Sequence, residues 1–198
     1  MNREDDGLLR RFVEAFPAFD AMRVGRDLEL EGDISEIVAA PFDAHGWTDW
    51  RPARVDVPAD ALQELYRSVP GPMPPLYERL ILSYRWTEVD VGRVRLLGSL
   101  PPGLQGLQGA ILRDSGLFEQ LSPAGYVQFG RGPDMDYDPV CFDLGDRDSH
   151  GDCRIVKFDH EEILCNRRLR KVAEIAPSFR ALVEAIVADA GRTSPPAS

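Results

Sequence analysis

The chain has 198 residues, 43% of them hydrophobic and 28% charged, a balance that suits one sizeable folded domain and excludes a natively disordered chain. Its 33 Asp and Glu against 23 Lys and Arg leave a formal charge of −10, which argues against nucleic acid and anionic membranes as partners and favours basic ones. The odd cysteine count (Cys141, Cys153, Cys165), a start without a basic segment followed by an apolar one, and no apolar run long enough for a membrane span together indicate a reduced, cytoplasmic protein.

Leu8, Leu9, Phe12, Val13 and Phe16 recur at helical spacing behind Asp5 and Asp6, which predicts a first amphipathic helix ending near Pro17. From Asp27 to Asp56 the pattern weakens. Ile34, Ile37 and Val38 fit a short strand or a turn of helix, and His45 to Pro52 reads as an aromatic loop. Leu62, Leu65, Tyr66 and Val69 define a second helical face with Pro58 and Asp60 as start signals. The proline-rich stretch from Pro70 to Pro75 breaks it, and a third helix carries Leu76, Tyr77, Leu80, Ile81 and Tyr84.

Val89–Val91 and Val94–Leu97, separated by Gly92-Arg93, read as strands or a tight hairpin. Glycines at 103, 106 and 109 interrupt the next stretch, after which Ile111, Leu112, Ser115, Phe118 and Leu121 fit one helix. Strands are expected at Tyr126–Phe129, Val140–Leu144 and Cys153–Phe158. Phe179, Leu182, Val183, Ile186 and Val187 form the stripe of a closing helix, and 193–198 reads as a disordered Pro/Ser-rich tail. Helices, a strand meander with short gaps, and a final helix predict the α+β class with a mostly antiparallel sheet.

Four stretches carry a family likeness: Met73 to Trp86, a proline-led helix; Phe129 to Asp134, a Gly/Asp-rich turn after a strand; Asp138 to Leu144; and Ile155 to Glu162, leading to Ala176-Pro177-Ser178-Phe179. In order and spacing they resemble the SUKH superfamily of cell-wall regulators and bacterial immunity proteins, over about the last two-thirds of the chain. The resemblance implies a sheet of about six strands backed by helices in a single domain over 1–192, with residues 1 to about 56 as an N-terminal helical extension. It implies no catalytic residue set and no cofactor, and for bacterial members a role in binding and neutralising toxins.

Asp134, Asp136 and Asp138 stand at the first, third and fifth positions of a calcium-loop pattern, but Pro139 occupies the turn position that needs glycine and Gly145 the position that needs a bidentate glutamate. A solvated acidic turn fits better. Continued through Asp143, Asp146, Asp148 and Asp152, it is a candidate surface for a basic partner. The cysteines with His150 and His160 lack the paired short spacings of a zinc site, and His160 fits a local pairing at an Asp159-started helical turn. Ser149-His150-Gly151-Asp152 holds triad residue types without a nucleophile elbow, and the glycines complete no nucleotide fingerprint. The basic run Arg167, Arg168, Arg170 and Lys171 reads as a solvated face. Among the tryptophans, Trp47 and Trp50 are interface candidates if exposed. The reading is therefore a non-catalytic protein-binding domain, with Asp134, Asp136, Asp138, Asp146, Asp148, Trp47 and Trp50 as binding residues and a basic toxin domain as candidate partner. Its rivals are a cytoplasmic regulatory or scaffold protein and a metal-dependent enzyme.

Overall fold

The computed structural model of the protein describes residues 3–30 and 33–193. Apart from Thr193, which closes the last helix, the tail expected at 193–198 lies outside these residues. Helix α1 (Arg3–Glu14) buries Leu8, Leu9, Phe12 and Val13, the stripe its spacing predicts, and a turn at Phe16–Ala18 ends it at Pro17. Strands β1 (Arg23–Gly25) and β2 (Trp47–Asp49) pair antiparallel, so part of the expected aromatic loop is strand. Three residues are too few to show alternation in the sequence, and the pairing joins segments more than twenty residues apart. Helix α2 (Ala61–Leu65) is shorter than its apolar spacing suggests, and α3 (Pro75–Ser83) follows the proline break. Strand β3 (Ala53–Arg54) pairs with β4 (Tyr84–Arg85) at the end of α3.

Beyond β4 come the short strands β5 (Val89–Asp90) and β6 (Arg95–Leu96), turned at Gly92, whose φ of 82° is a conformation that glycine adopts without strain. Two helices, α4 (Gln105–Leu112) and α5 (Ser115–Leu121), replace the single helix expected from Ile111 to Leu121. Asp114 makes the break: its backbone is extended, and its side chain accepts the Leu117 N–H at 3.1 Å as an N-cap. Part of the glycine-rich stretch is helical, and at Gly106 the missing side chain lets α4 pack closely, since a Cβ there would collide with the Leu100 carbonyl.

Strands β7 (Tyr126–Arg131), β8 (Pro139–Arg147) and β9 (Cys153–Phe158) extend the three expected strands or match them. They are followed by α6 (His160–Asn166), β10 (Lys171–Ala176) and α7 (Phe179–Thr193). The main sheet has six strands in the order β10-β9-β8-β7-β6-β5, each neighbouring pair antiparallel. The fold is thus α+β, as the strand spacing predicts.

Alternation along the strands divides the core. Phe129, Phe142 and Ile155 face α1, α3 and α7, whereas Cys141, Val156 and Phe158 face α5 and α6. On the first face Phe129 stacks on Phe142 at 4.1 Å between centroids, and Tyr77 of α3 and Phe179 of α7 meet both rings edge-on. Phe12 of α1 packs edge-on against Phe179 at 6.5 Å, so the N-terminal helix belongs to this core. On the second face Leu117 and Leu121 of α5 and Ile163 of α6 close over the sheet. No helix among the described residues is long and apolar enough to cross a membrane.

Candidate functional site

The acidic residues singled out in the sequence do not share one surface. Asp134, Asp136 and Asp138 lie in the β7–β8 turn, and Asp146 and Asp148 lie at the far end of β8. At about 3.4 Å per residue, the nine residues of β8 separate the two groups by about 27 Å. The continuous acidic loop from Asp134 to Asp152 is therefore two distant sites, because a long strand runs between them.

At the far end, Asp146 pairs with Arg154 at 2.6 Å, and Asp148 accepts the backbone N–H groups of His150 and Asp152 at 2.8 and 3.0 Å. Asp152 is buried and accepts from the N–H groups of Phe179 and Arg180 at the start of α7. Their roles there are structural. Trp50 is 1% exposed and sits in the main core, so it cannot anchor a partner, while Trp47 on β2 is 48% exposed.

The β7–β8 turn is different. Arg131 ends β7 and donates to both carboxylate oxygens of Glu88 at 3.3 Å, and Arg95 donates to the same carboxylate at 3.2 Å. Burial alone would raise the pKa of Glu88, but its pairing with Arg131 and Arg95 outweighs that and holds the carboxyl below its ordinary value. The Arg131 guanidinium lies 5.2 Å from the centre of the Tyr137 ring, and the His160 ring stands 6.2 Å from the same ring.

His160 is itself fixed. Asp138 Oδ1 accepts its backbone N–H at 2.9 Å and lies 2.8 Å from its Nδ1. Lys157 reaches Asp136 at 2.7 Å and lies 3.8 Å from Asp138. Partial burial pushes the Asp136 pKa up, but the hydrogen bonds from Lys157 and the Asp138 N–H prevail and lower it. Asp134, at a φ of 56°, carries no ion pair among the described residues, and its N–H donates to Asp90 at 3.2 Å.

These contacts frame a cleft of 290 Å³ between the turn, α4, α5 and α6. Leu97, Ala110 and Leu117 supply its apolar wall, and Tyr137 and Leu164 stand at its mouth. Tyr137 is 51% exposed and Leu164 47%; Met135, two residues before Tyr137 on the turn, is 76% exposed. Three of the five exposed large hydrophobic side chains among the described residues thus belong to this turn and to α6. Leu164 lies over Gly116 of α5, where a Cβ would crowd its methyl group.

Among the described residues no serine, threonine or cysteine lines the cleft. Cys141 and Cys153 are buried on opposite faces of the sheet, and burial pushes the Cys153 thiol up to about 12. No three His, Cys, Asp or Glu side chains among the described residues converge as metal ligands would. Of the residues in and beside the cleft, sequence reasoning singled out Asp134, Asp136 and Asp138 of the turn and weighed His160, and missed Tyr137, Leu164, Arg131 and Glu88. An aromatic residue flanked by aspartates in a Gly/Pro turn was the available signal for Tyr137. Nothing local marks Leu164, which reads as one more apolar residue of a short helix.

Neither the family models nor the curated proteins compared with this sequence match it.

Proposed function

We propose that the protein works without catalysis, by binding another protein at the cleft framed by the β7–β8 turn, α5 and α6. The observation that carries this reading is that exposed Tyr137 and Leu164 line an apolar-walled cleft, with exposed Met135 two residues from Tyr137 on the same turn. Half-exposed aromatic and aliphatic side chains beside a concavity are what a partner's anchor residues bury, and tyrosine is prominent among residues that dominate binding energy.

The partner is basic. Asp134 and Glu161 are exposed at this site and have no ion pair among the described residues, and the chain as a whole carries −10. That charge speeds the approach of a cationic surface and disfavours anionic competitors. With the SUKH-like stretches, the basic partner we favour is a toxin domain that the protein neutralises. A regulatory partner of the same charge is the second reading.

The test is capture from the source lysate by wild type and by the Tyr137→Ala/Leu164→Ala variant, followed by binding measurements with the purified captured protein. Wild type should retain one basic protein, the variant should bind it at least about tenfold more weakly, and Trp47→Ala should bind as wild type does. Growth arrest on expressing the captured protein, relieved by wild type and not by the double variant, supports the toxin reading. Capture that both proteins perform equally removes the cleft from the interface.

A further inference from the structure

The two edges of the main sheet are unlike. At one, β5 has two residues, and the Asp90 N–H is taken by the Asp20 carboxylate at 3.0 Å. At the other, β10 has six residues, no strand pairs with its outer side among the described residues, and Lys171, Val172 and Glu174 are exposed.

The register of β10 is irregular in an informative way. Lys171 stands opposite Phe158, Ala173 opposite Lys157 and Glu174 opposite Val156, with a bulge between Lys171 and Ala173. Phe158 and Val156 point to the α5–α6 face, so Lys171 and Glu174 share that face although they are three residues apart. In a regular strand they would point to opposite faces.

On the same face a row of charges crosses the strands. Asp146 of β8 meets Arg154 of β9 at 2.6 Å, and Arg154 meets Glu174 of β10 at 2.6 Å. The signs alternate, and the row stops at the open edge on a carboxylate. Lys171 has no ion pair among the described residues.

We propose that β10 pairs with β10 of a second copy, antiparallel about a two-fold axis between Val172 and Ala173, joining two six-stranded sheets into one. That axis brings Lys171 of each copy opposite Glu174 of the other and extends the row to Asp146–Arg154–Glu174–Lys171 on both sides. Val172 of each copy then covers Ala173 of the other. An edge lysine and a bulge ordinarily discourage strand pairing. Here the bulge is what makes the edge complementary to itself, because it puts opposite charges on one face at positions related by the two-fold axis.

With the axis between Val172 and Ala173, Lys171–Glu174 of the two strands lie opposite one another, a small interface, so dimers should form only at about 100 µM chain or above. Sedimentation velocity of the full chain from about 10 µM to 1 mM tests this, with wild type moving from monomer towards dimer over that range. Lys171→Glu and Glu174→Lys, each studied alone, bring like charges together twice and should weaken self-association at least about tenfold. Mixed together they restore both pairs, and a heterodimer should form about as readily as the wild-type dimer. Circular dichroism of each variant checks that it folds. If Glu174→Lys does not fold, amide exchange of the wild type replaces the mixing experiment, with protection within Lys171–Glu174 rising with concentration as the expected result. A wild-type monomer at 1 mM, a dimer that Lys171→Glu leaves unchanged, a mixture that yields no heterodimer, or exchange in β10 that ignores concentration overturns the proposal.

Discussion

Asp152 offers the sharpest test of how this fold is tied together. The N–H groups of Phe179, Arg180 and Ala181 in the first turn of α7 have no carbonyl one turn earlier to bond and are satisfied by side chains, and the regular ladder begins at Leu182. Phe179 N and Arg180 N donate to the two Asp152 oxygens at 2.9 and 3.0 Å, Ala181 N donates to Ser178 Oγ at 3.1 Å, and Leu182 N donates to the Ser178 carbonyl at 3.1 Å. Asp152 also accepts its neighbour's Cys153 N–H at 2.8 Å. Asp152→Ala therefore leaves three backbone donors unsatisfied, two of them buried. At about 1–3 kcal/mol for each buried orphan donor, and with water able to serve the third, the loss should be about 3 kcal/mol, or about 6–12 °C in Tm for a chain of this size. Asp152→Asn keeps an acceptor oxygen and the shape, and should lose less. Asp148→Ala, which removes the cap of an exposed turn, should cost about 1 kcal/mol. Urea denaturation of the three variants measures these differences. If Asp152→Ala costs no more than Asp148→Ala, Asp152 does not hold α7 to the β8–β9 turn and the reasoning fails.

Two further predictions concern the core and the pH dependence. The Tyr77 ring packs against Phe129, Phe142 and Phe179 and its hydroxyl is buried with no hydrogen-bond partner among the described residues, so Tyr77→Phe should leave stability unchanged or raise it by about 1 kcal/mol in urea denaturation; a loss above about 1 kcal/mol would mean that the hydroxyl has a bonded partner in solution. Glu88, held below its ordinary pKa of 4.5 by its arginine partners, contributes stability that is complete above pH 4.5 and is lost as pH falls through the lowered value. Glu88→Gln should therefore flatten part of the stability loss between pH 5 and pH 3, and an unchanged acid limb would rule out that contribution.

Where local pattern and tertiary packing agreed, the fold was legible in the sequence. The stripe of α1, the strands from Tyr126 to Phe158 and the stripe of α7 all follow from apolar spacing, and the hairpin from glycine at a turn. Legibility stopped where long-range contacts decide. β1 and β2 exist because three-residue segments far apart in sequence find each other. Gly106 of α4 is required because the neighbouring Leu100 backbone occupies the space a side chain would need. β10 lies behind a basic run whose composition suggests a solvated face, and its bulges hide the period of two. For the site, the aspartates of the β7–β8 turn stand out by composition, but the nine residues of β8 that divide them from Asp146 and Asp148 show only once the strand's length is known.

The ion pairs around that turn bear on how the site works. Each is partly exposed, and pairs in such settings typically contribute about 0–1 kcal/mol, so together they do little to hold the fold. Their effect is on position. Glu88 fixes Arg131, Asp138 fixes His160, and these two groups flank Tyr137, while Lys157 ties the turn to β9 through Asp136. Tyr137 thus presents half of its surface to solvent from a seat that restricts its rotation, at the mouth of a cleft whose apolar wall is built by α4 and α5. A side chain ordered before a partner arrives loses little further freedom on binding, and an interface anchored on it forfeits less of its gross interaction to ordering than one built on a mobile loop. Of the turn aspartates that looked like one acidic surface in the sequence, Asp138 supports Tyr137 through His160, Asp136 ties the turn to β9, and Asp134 faces outward where a basic partner would meet it.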